Sequence, residues 1–381
     1  MKAALVCPRF HPTPGGAERY TYNLALRLPS LGWEVAVLTS DGHYRGRNPV
    51  RIKGFTVHYV PPMHLLEYTL PRPSSLRILR ALNPHIVHVS GPHPYSDAFA
   101  LAAKALGIPR VMTHHAPLKP KSVVKQLLAR VERAAFKWLY DWVIVTSALN
   151  RRRLESAFPA GRIRVIPLGV DETFRDASVD REEARRAIRV DGDVKVLLFV
   201  GRLDRPHYYK GLDLLLEAMK FLSSDAILLV VGDGELKPHY QELARAHGVD
   251  GRVRFAGFIP DEELAAYYAA SDLLVLPSTS ESEGFGLVLL EAMSMGTPVM
   301  TTEKPGSAEL LRRYGAAFIL ESLNPREIAH RISAALEDED ERRKVVRNAK
   351  RLVERFNWER AALETSKLYE DVLQRGRGPR L

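Results

Sequence analysis

The chain has 381 residues, 46% apolar and 26% charged, which excludes a disordered protein and suffices for two or three full-sized domains. Its 55 Lys and Arg against 45 Asp and Glu leave a formal charge of +10. The single cysteine, Cys7, excludes a disulfide framework and a cysteine-based zinc site and fits a reducing compartment. No apolar run approaches the roughly 18 residues of a membrane-spanning helix, and Pro8 and Arg9 follow the first apolar run too soon for a secretory leader.

Lys2–Cys7 reads as a short buried strand and Ala17–Leu31 as a helix ended by Gly32. Strand patterns follow at Glu34–Thr39, Phe55–Val60, His85–Val89, Arg110–Thr113 and Trp142–Thr146, with helical patterns at Tyr95–Leu106 and Ser122–Tyr140. The second half repeats the scheme, with aliphatic strands at Val194–Val200, Ala226–Val231, Val253–Phe255, Leu273–Leu276 and Pro298–Thr301. A hinge is expected near residues 167–172, in the turn-rich Ile166–Asp171 stretch. Charged helical sequence runs from Asn324, breaks near Phe356–Trp358 and ends in a tail from Arg375 that should fray.

Strands alternating with helices predict an α/β protein of two doubly wound parallel sheets, facing each other across a cleft at their carboxyl edges. The chain is divided accordingly into residues 1–168, 169–356 and a final helical segment, 357–381. Charge follows that division. Residues 1–168 hold 24 basic and 8 acidic side chains, net +16, and the remainder holds 31 and 37, net −6. A basic first half suggests an anionic partner: nucleic acid, a membrane surface or a phosphorylated substrate.

Ligands of such sheets bind on loops just after strands, at helix N-termini. After the first strand, Gly15 and Gly16 open a helix and would let backbone N–H groups approach an anion, though an ordinary strand-to-helix turn reads the same way. After Val194–Val200, Arg202 and Lys210 place a planar fork and a point charge around one loop, which suits a diphosphate or a solvated charged loop. The most specific element is Glu283-Gly-Phe-Gly-Leu-Val-Leu-Leu-Glu291. Its apolar surroundings should bury Glu291, which then needs donors, either vicinal ribose hydroxyls or a core Arg. Glu283 lies one turn outside that helix, and Gly284, Phe285, Gly286 and Leu287 offer free amides. His114 and His115 follow another strand. A histidine there can hydrogen-bond a sugar hydroxyl near neutral pH, and adjacent residues on extended chain face opposite ways, against a shared metal. Gly232–Glu235 reads as a structural turn.

With these residues in hand, the chain resembles the retaining, nucleotide-sugar-dependent glycosyltransferases of the GT-B fold, family-four type, over nearly its whole length. The resemblance implies two Rossmann-like domains with the last helix crossing back to the first. The N-terminal domain would hold the acceptor and the C-terminal one the donor. By that resemblance Arg202 and Lys210 grip the donor diphosphate, with Gly15 and Gly16 as the N-terminal counterpart. Glu291 binds the ribose; Glu283 and the 285–287 amides meet the transferred sugar and distal phosphate; His115 lies near the anomeric centre. Glu283 and His115 are then the catalytic candidates. Two departures stand out: Leu168 where the family commonly has Asn, and a longer Arg202–Lys210 loop carrying Pro206–Tyr209.

The implied reaction moves a hexosyl group from a UDP- or GDP-sugar to an acceptor hydroxyl, without a required cofactor and with no metal-ligand set in the sequence. The charge favours an anionic lipid or polyprenyl-phosphate acceptor, with a saccharide acceptor also open, and a cytoplasmic protein peripheral on the membrane's inner face. Ser122–Trp142 has an apolar stripe of Val123, Leu127, Val131, Ala135, Trp138 and Trp142, with basic residues elsewhere. Lys121, Lys125, Arg130, Arg133 and Lys137 are therefore the candidate acceptor or membrane surface, against the plainer reading of a core-packed helix with a solvated face. Competing functions are a nucleotide-sugar epimerase or hydrolase of the same fold and a nucleic-acid-binding module. The latter leaves Glu291 unexplained, and no nucleic-acid partner is expected. A dinucleotide oxidoreductase lacks its Gly-x-Gly-x-x-Gly loop.

Overall fold

The computed structural model describes residues 1–46, 48–65, 68–115, 136–190 and 192–376. The chain divides into two compact units, residues 1–169 with 357–381, and residues 170–356.

The first unit is built on eight strands, β1 (Lys2–Val6), β2 (Glu34–Thr39), β3 (Val50–Ile52), β4 (Phe55–Tyr59), β7 (Ile86–Gly91), β8 (Arg110–His114), β9 (Trp142–Val145) and β10 (Ile163–Val165), with β5 (Pro62–Leu65) and β6 (Tyr68–Pro71) forming a separate hairpin. Their order is β10-β9-β8-β7-β1-β2-β4-β3, and only the edge strand β3 runs antiparallel. Near-continuous Val, Ile and Leu buries both faces of the inner strands, as parallel sheets require. The order reverses between β1 and β7, where Leu5 lies between Val37 and His88. The loops after those two strands therefore bracket the switch point at which doubly wound sheets bind ligands.

The first helix is α-helical only over Gly16–Arg27 and tightens to a 3-10 turn at Leu28–Leu31. Pro29 cannot donate to the α ladder, and Gly32, at φ 85°, ends the turn. The final helix, Trp358–Gly376, packs on Gly16–Arg27 as the resemblance implied. Trp33 Nε1 donates to Ser366 Oγ at 2.9 Å, and Arg27 Nε meets Glu359 at 2.8 Å. Leu168 is buried, at 4% exposure.

The 122–142 stripe is corrected in part. Trp142 belongs to β9, paired with Val111, and Trp138 is 57% exposed. Asp141 breaks the helix before β9 by accepting from the Arg110 backbone N–H at 2.8 Å and its guanidinium at 2.6 Å. Lys137 is exposed on the helical residues 136–139, while Lys121, Lys125, Arg130 and Arg133 lie outside the described residues.

The second unit has six parallel strands, β11 (Lys195–Val200), β12 (Ala226–Val231), β13 (Val253–Gly257), β14 (Leu273–Leu276), β15 (Val299–Thr302) and β16 (Phe318–Leu320). Their order, β13-β12-β11-β14-β15-β16, is the dinucleotide-fold order 3-2-1-4-5-6. The switch point falls between β11 and β14, so the loops carrying Arg202 and Glu283 are its two walls. Among the described residues no helix is long and apolar enough to cross a membrane.

Candidate functional site

In the second unit β11 ends at Val200 and releases Gly201 and Arg202, while β14 ends at Leu276 and releases the loop to Glu283. The two loops are bound together. Thr279 N donates to Tyr209 O at 2.7 Å, and the Lys210 ammonium donates to Glu283 Oε2 at 2.6 Å, both side chains being about one-tenth exposed. Lys210 reaches Glu283 because its stem crosses Gly201, where a Cβ would lie 2.7 Å from Lys210 Cδ. Arg202 Nη2 pairs with Asp204 Oδ2 at 2.6 Å, and Asp204 Oδ1 lies 2.5 Å from His207 Nδ1. Burial works to raise the Asp204 carboxyl, but the His207 hydrogen bond and the Arg202 guanidinium outweigh it and hold it below the usual range. Burial, aided by Lys210 and Arg202, lowers His207 despite Asp204.

Glu283 leads into the helix Leu287–Ser294, whose N-terminal amides carry no side-chain cap. Phe285 is buried against Phe356, and its carbonyl accepts from Ser307 Oγ at 2.5 Å, which holds the segment's backbone in place. Glu291 is 3% exposed, as its apolar neighbours predicted. One core donor to it is a tyrosine: Tyr268 OH donates to Glu291 Oε2 at 2.7 Å. Gly232–Glu235 is structural. A Cβ on Gly232, at φ 134°, would lie 1.9 Å from Gly201 O, and Leu203 N donates to Asp233 O at 2.9 Å, so this turn backs the Arg202 loop.

In the first unit, Gly15 and Gly16 open the first helix as expected, but the position beside Gly15 is filled from within the chain. The Glu18 carboxylate lies 2.2 Å from where a Gly15 Cβ would be, and Arg9 pairs with it at 2.9 Å. His114 and His115 separate as adjacent extended residues should. The His114 ring lies 6.3 Å from Phe136, and the His115 ring stands edge-on to Tyr20 at 5.2 Å. Burial, with His114 beside it, pushes His115 down to about 3, so it is a neutral imidazole, and its Nε2 is buried without a partner among the described residues. Behind it runs a buried chain: Tyr369 OH to His88 Nδ1 at 2.5 Å, His88 Nε2 to Thr113 Oγ1 at 2.7 Å, and Thr113 to Tyr20 OH at 3.0 Å.

The structure thus brings Arg202, Lys210, Glu283 and the 284–287 backbone to one sheet edge, with Glu291 behind them on the same helix. It holds Gly15, Gly16 and His115 at the other sheet's carboxyl edge. Sequence reasoning passed over Asp204, His207 and Tyr268. The Asp-x-x-His spacing of a helix-entry cap was a signal for the first two; Tyr268 is 23 residues from Glu291 and gave none. Among the described residues no group of three or more His, Cys, Asp or Glu is placed to hold a metal ion.

The family model for glycosyl transferases group 1 matches residues 180–352, and that for Glycosyltransferase Family 4 matches residues 14–174. An uncharacterized glycosyltransferase of Methanocaldococcus jannaschii is 34% identical over 61% of this chain and 60% of its own length, so this chain spans only part of it. The D-inositol 3-phosphate glycosyltransferase of Thermobispora bispora is 29% identical over 95% of this chain and 91% of that protein. Phosphatidyl-myo-inositol mannosyltransferase of Mycobacterium tuberculosis is 25% identical over 99% and 98%. Among solved structures, sucrose-phosphate synthase of Thermosynechococcus elongatus superposes with a TM-score of 0.80 at 24% identity, covering 98% of this chain and 99% of that one. Anabaena HepE, solved with UDP-glucose, gives a TM-score of 0.79 at 22% identity, covering 97% and 100%. With one family model on each half and these folds matched along their length, the chain belongs to the family-four glycosyltransferases of the GT-B fold.

Proposed function

We propose that this protein transfers a hexosyl group from a nucleoside-diphosphate sugar to an acceptor hydroxyl with retention at the anomeric carbon. The observation that carries the reading is the pairing of Lys210 with Glu283 beside Arg202, at the switch point of a parallel sheet and next to an uncapped helix N-terminus. Two cations and an uncapped helix N-terminus suit a diphosphate, and an adjacent carboxylate suits the hydroxyls of the sugar attached to it. Glu291 would hold the ribose, with Tyr268 orienting its carboxylate. Residues 170–356 are then the donor-binding unit, and the basic first half, with Gly15, Gly16 and His115, serves the acceptor and the transferred sugar. UDP-glucose occupies the Anabaena protein of the same fold.

Retention by double displacement requires two carboxylates about 5 Å apart. Among the described residues Glu283 is the only candidate nucleophile of that kind, and its charge is already committed to Lys210. Front-face substitution fits better. The bond from the anomeric carbon to the diphosphate oxygen breaks, the acceptor oxygen bonds to the same face, and the acceptor's proton passes to the leaving phosphate. Arg202, Lys210 and the helix amides stabilise the charge that develops there. The neutral His115 Nε2 is available to a sugar hydroxyl.

The relatives' names point to inositol phosphates and phosphatidylinositol as acceptors of those proteins. For this chain, +16 over residues 1–168 supports an anionic acceptor, and with it attachment to the inner membrane face. Thermal shift with UDP, GDP, ADP and their sugars tests the donor reading, since a ligand of the folded state raises its midpoint. A rise with one nucleotide and its sugar, followed by a product of unchanged anomeric configuration, is the expected result. No response to any nucleotide, or an inverted product, overturns it.

A further inference from the structure

The long loop between Arg202 and Lys210 contains a group that the donor reading leaves unused. Asp204 caps the 3-10 turn Arg205–Lys210 by accepting from the His207 backbone N–H at 3.1 Å. Its two carboxylate oxygens then divide between His207 Nδ1 and Arg202 Nη2. One carboxylate therefore fixes two side chains of the same loop. The His207 ring lies 5.9 Å from that of Tyr209, its side chain is 23% exposed, and its Nε2 makes no hydrogen bond among the described residues.

We infer that His207 is a third ligand of the donor diphosphate and takes up a proton as the diphosphate binds, an inference that rests on the donor-site reading of this loop. With Nδ1–H donating to Asp204, neutral His207 presents a lone pair at Nε2, which repels a phosphate oxygen. Protonation at Nε2 converts that lone pair into a charged donor. In the free protein the charged and titratable groups around His207 are Asp204, Arg202, Lys210 and Tyr209, with Glu283 from the β14 loop neutralising Lys210. Burial and the two cations disfavour a third positive charge there. A diphosphate reverses the balance, because its negative charges face all three. The proton comes from solvent, resides on Nε2 while the diphosphate is bound, and returns when it leaves.

The sign follows. The free histidine lies below its ordinary value and the bound one above the free one, so binding takes up a proton between the two. Affinity weakens as pH rises through that window, by up to about tenfold per pH unit.

Isothermal titration of the full chain with UDP and GDP, from about pH 5.5 to about pH 8.5 in buffers of different ionisation enthalpy, measures both affinity and proton uptake. Wild type should take up a proton and bind more weakly as pH rises. His207→Asn keeps a donor for Asp204 but has no group to charge. It should lose the uptake and bind roughly tenfold more weakly at the acid end, converging on wild type at the alkaline end. Proton uptake by His207→Asn equal to wild type, or binding by wild type without uptake, overturns the inference and leaves the donor site standing. The second of these needs no variant to fold, and His207→Gln repeats the first. No binding of either nucleotide by wild type at any pH overturns the donor-site reading and this inference with it.

Discussion

The two units treat their candidate functional groups in opposite ways. Those of residues 170–356 are charged and hold one another: Lys210 with Glu283, Arg202 and His207 through Asp204. The histidines at the first unit's sheet edge are buried and neutral. Burial pushes His88 and His115 down to about 3 and His93 and His114 down to about 4, and the His115 Nε2 has no partner among the described residues. A site for a multiply charged ligand profits from fixed charges that cannot collapse onto each other when empty. A site that positions an uncharged sugar hydroxyl needs a neutral acceptor kept dry. The net +16 of residues 1–168 is therefore carried by side chains other than the buried histidines at its sheet edge, which are uncharged.

Acid should separate the units most strongly. Below about pH 6.5 an unfolded histidine binds a proton that these buried ones refuse. The unfolded state thus gains protons that the folded one does not, and stability falls as pH falls toward the folded values near 3 and 4. Each such group contributes a slope of about 1.4 kcal/mol per pH unit inside its window. Hydrogen exchange at about pH 7 and about pH 4.5, resolved by peptide, should show residues 1–115 losing protection well before residues 195–320. Equal loss in both, or earlier loss in the second unit, would break the contrast.

The second unit should be fragile to charge removal instead. Lys210→Met leaves the Glu283 carboxylate buried and unpaired, at a cost of about 3 kcal/mol, and abolishes the grip on the diphosphate. Adding Glu283→Gln removes the stranded charge. The double variant should recover most of the midpoint lost by Lys210→Met, without recovering nucleotide binding. A double variant as unstable as the single would mean that the pair's contribution lies in packing and not in charge.

Much of this contrast was legible before the structure. β2, β12 and β14 begin and end where the periodicity put them, because buried parallel strands are continuous aliphatic runs with polar ends. The three-residue strands β3, β10 and β16 and the hairpin of β5 and β6 were passed over, being too short to show a period. Trp142 fits both a helical stripe and the strand pattern at Trp142–Thr146; the strand reading holds, and the Asp141–Arg110 contact separates the two. At the site, local spacing identified Glu283, Glu291, Arg202 and Lys210 as residues needing partners. It did not reveal which partners the chain itself supplies. Glu18 over Gly15, Tyr268 on Glu291 and Asp204 under Arg202 emerge only when the chain is folded.

The smallest expected effect tests whether the first unit's neutral groups are held by hydrogen bonds or only by burial. Thr113 donates its one proton to Tyr20 OH, so it must accept from His88 Nε2–H, and His88 Nδ1 must accept from Tyr369 OH. The final helix thereby fixes the tautomer of a buried histidine on β7, two strands' width from β2. Tyr369→Phe removes the donor and keeps the ring that packs against Trp33. It leaves one buried acceptor unsatisfied, at a cost of about 1–2 kcal/mol, or a few degrees of melting midpoint for a unit of this size. Nucleotide binding by the second unit should be unchanged. His88→Phe in the same background should then cost less than it does in wild type, because the acceptor it removes is already stranded. Additive losses in that cycle would show that Tyr369 and His88 are held independently, and that burial alone keeps the first unit's histidines neutral.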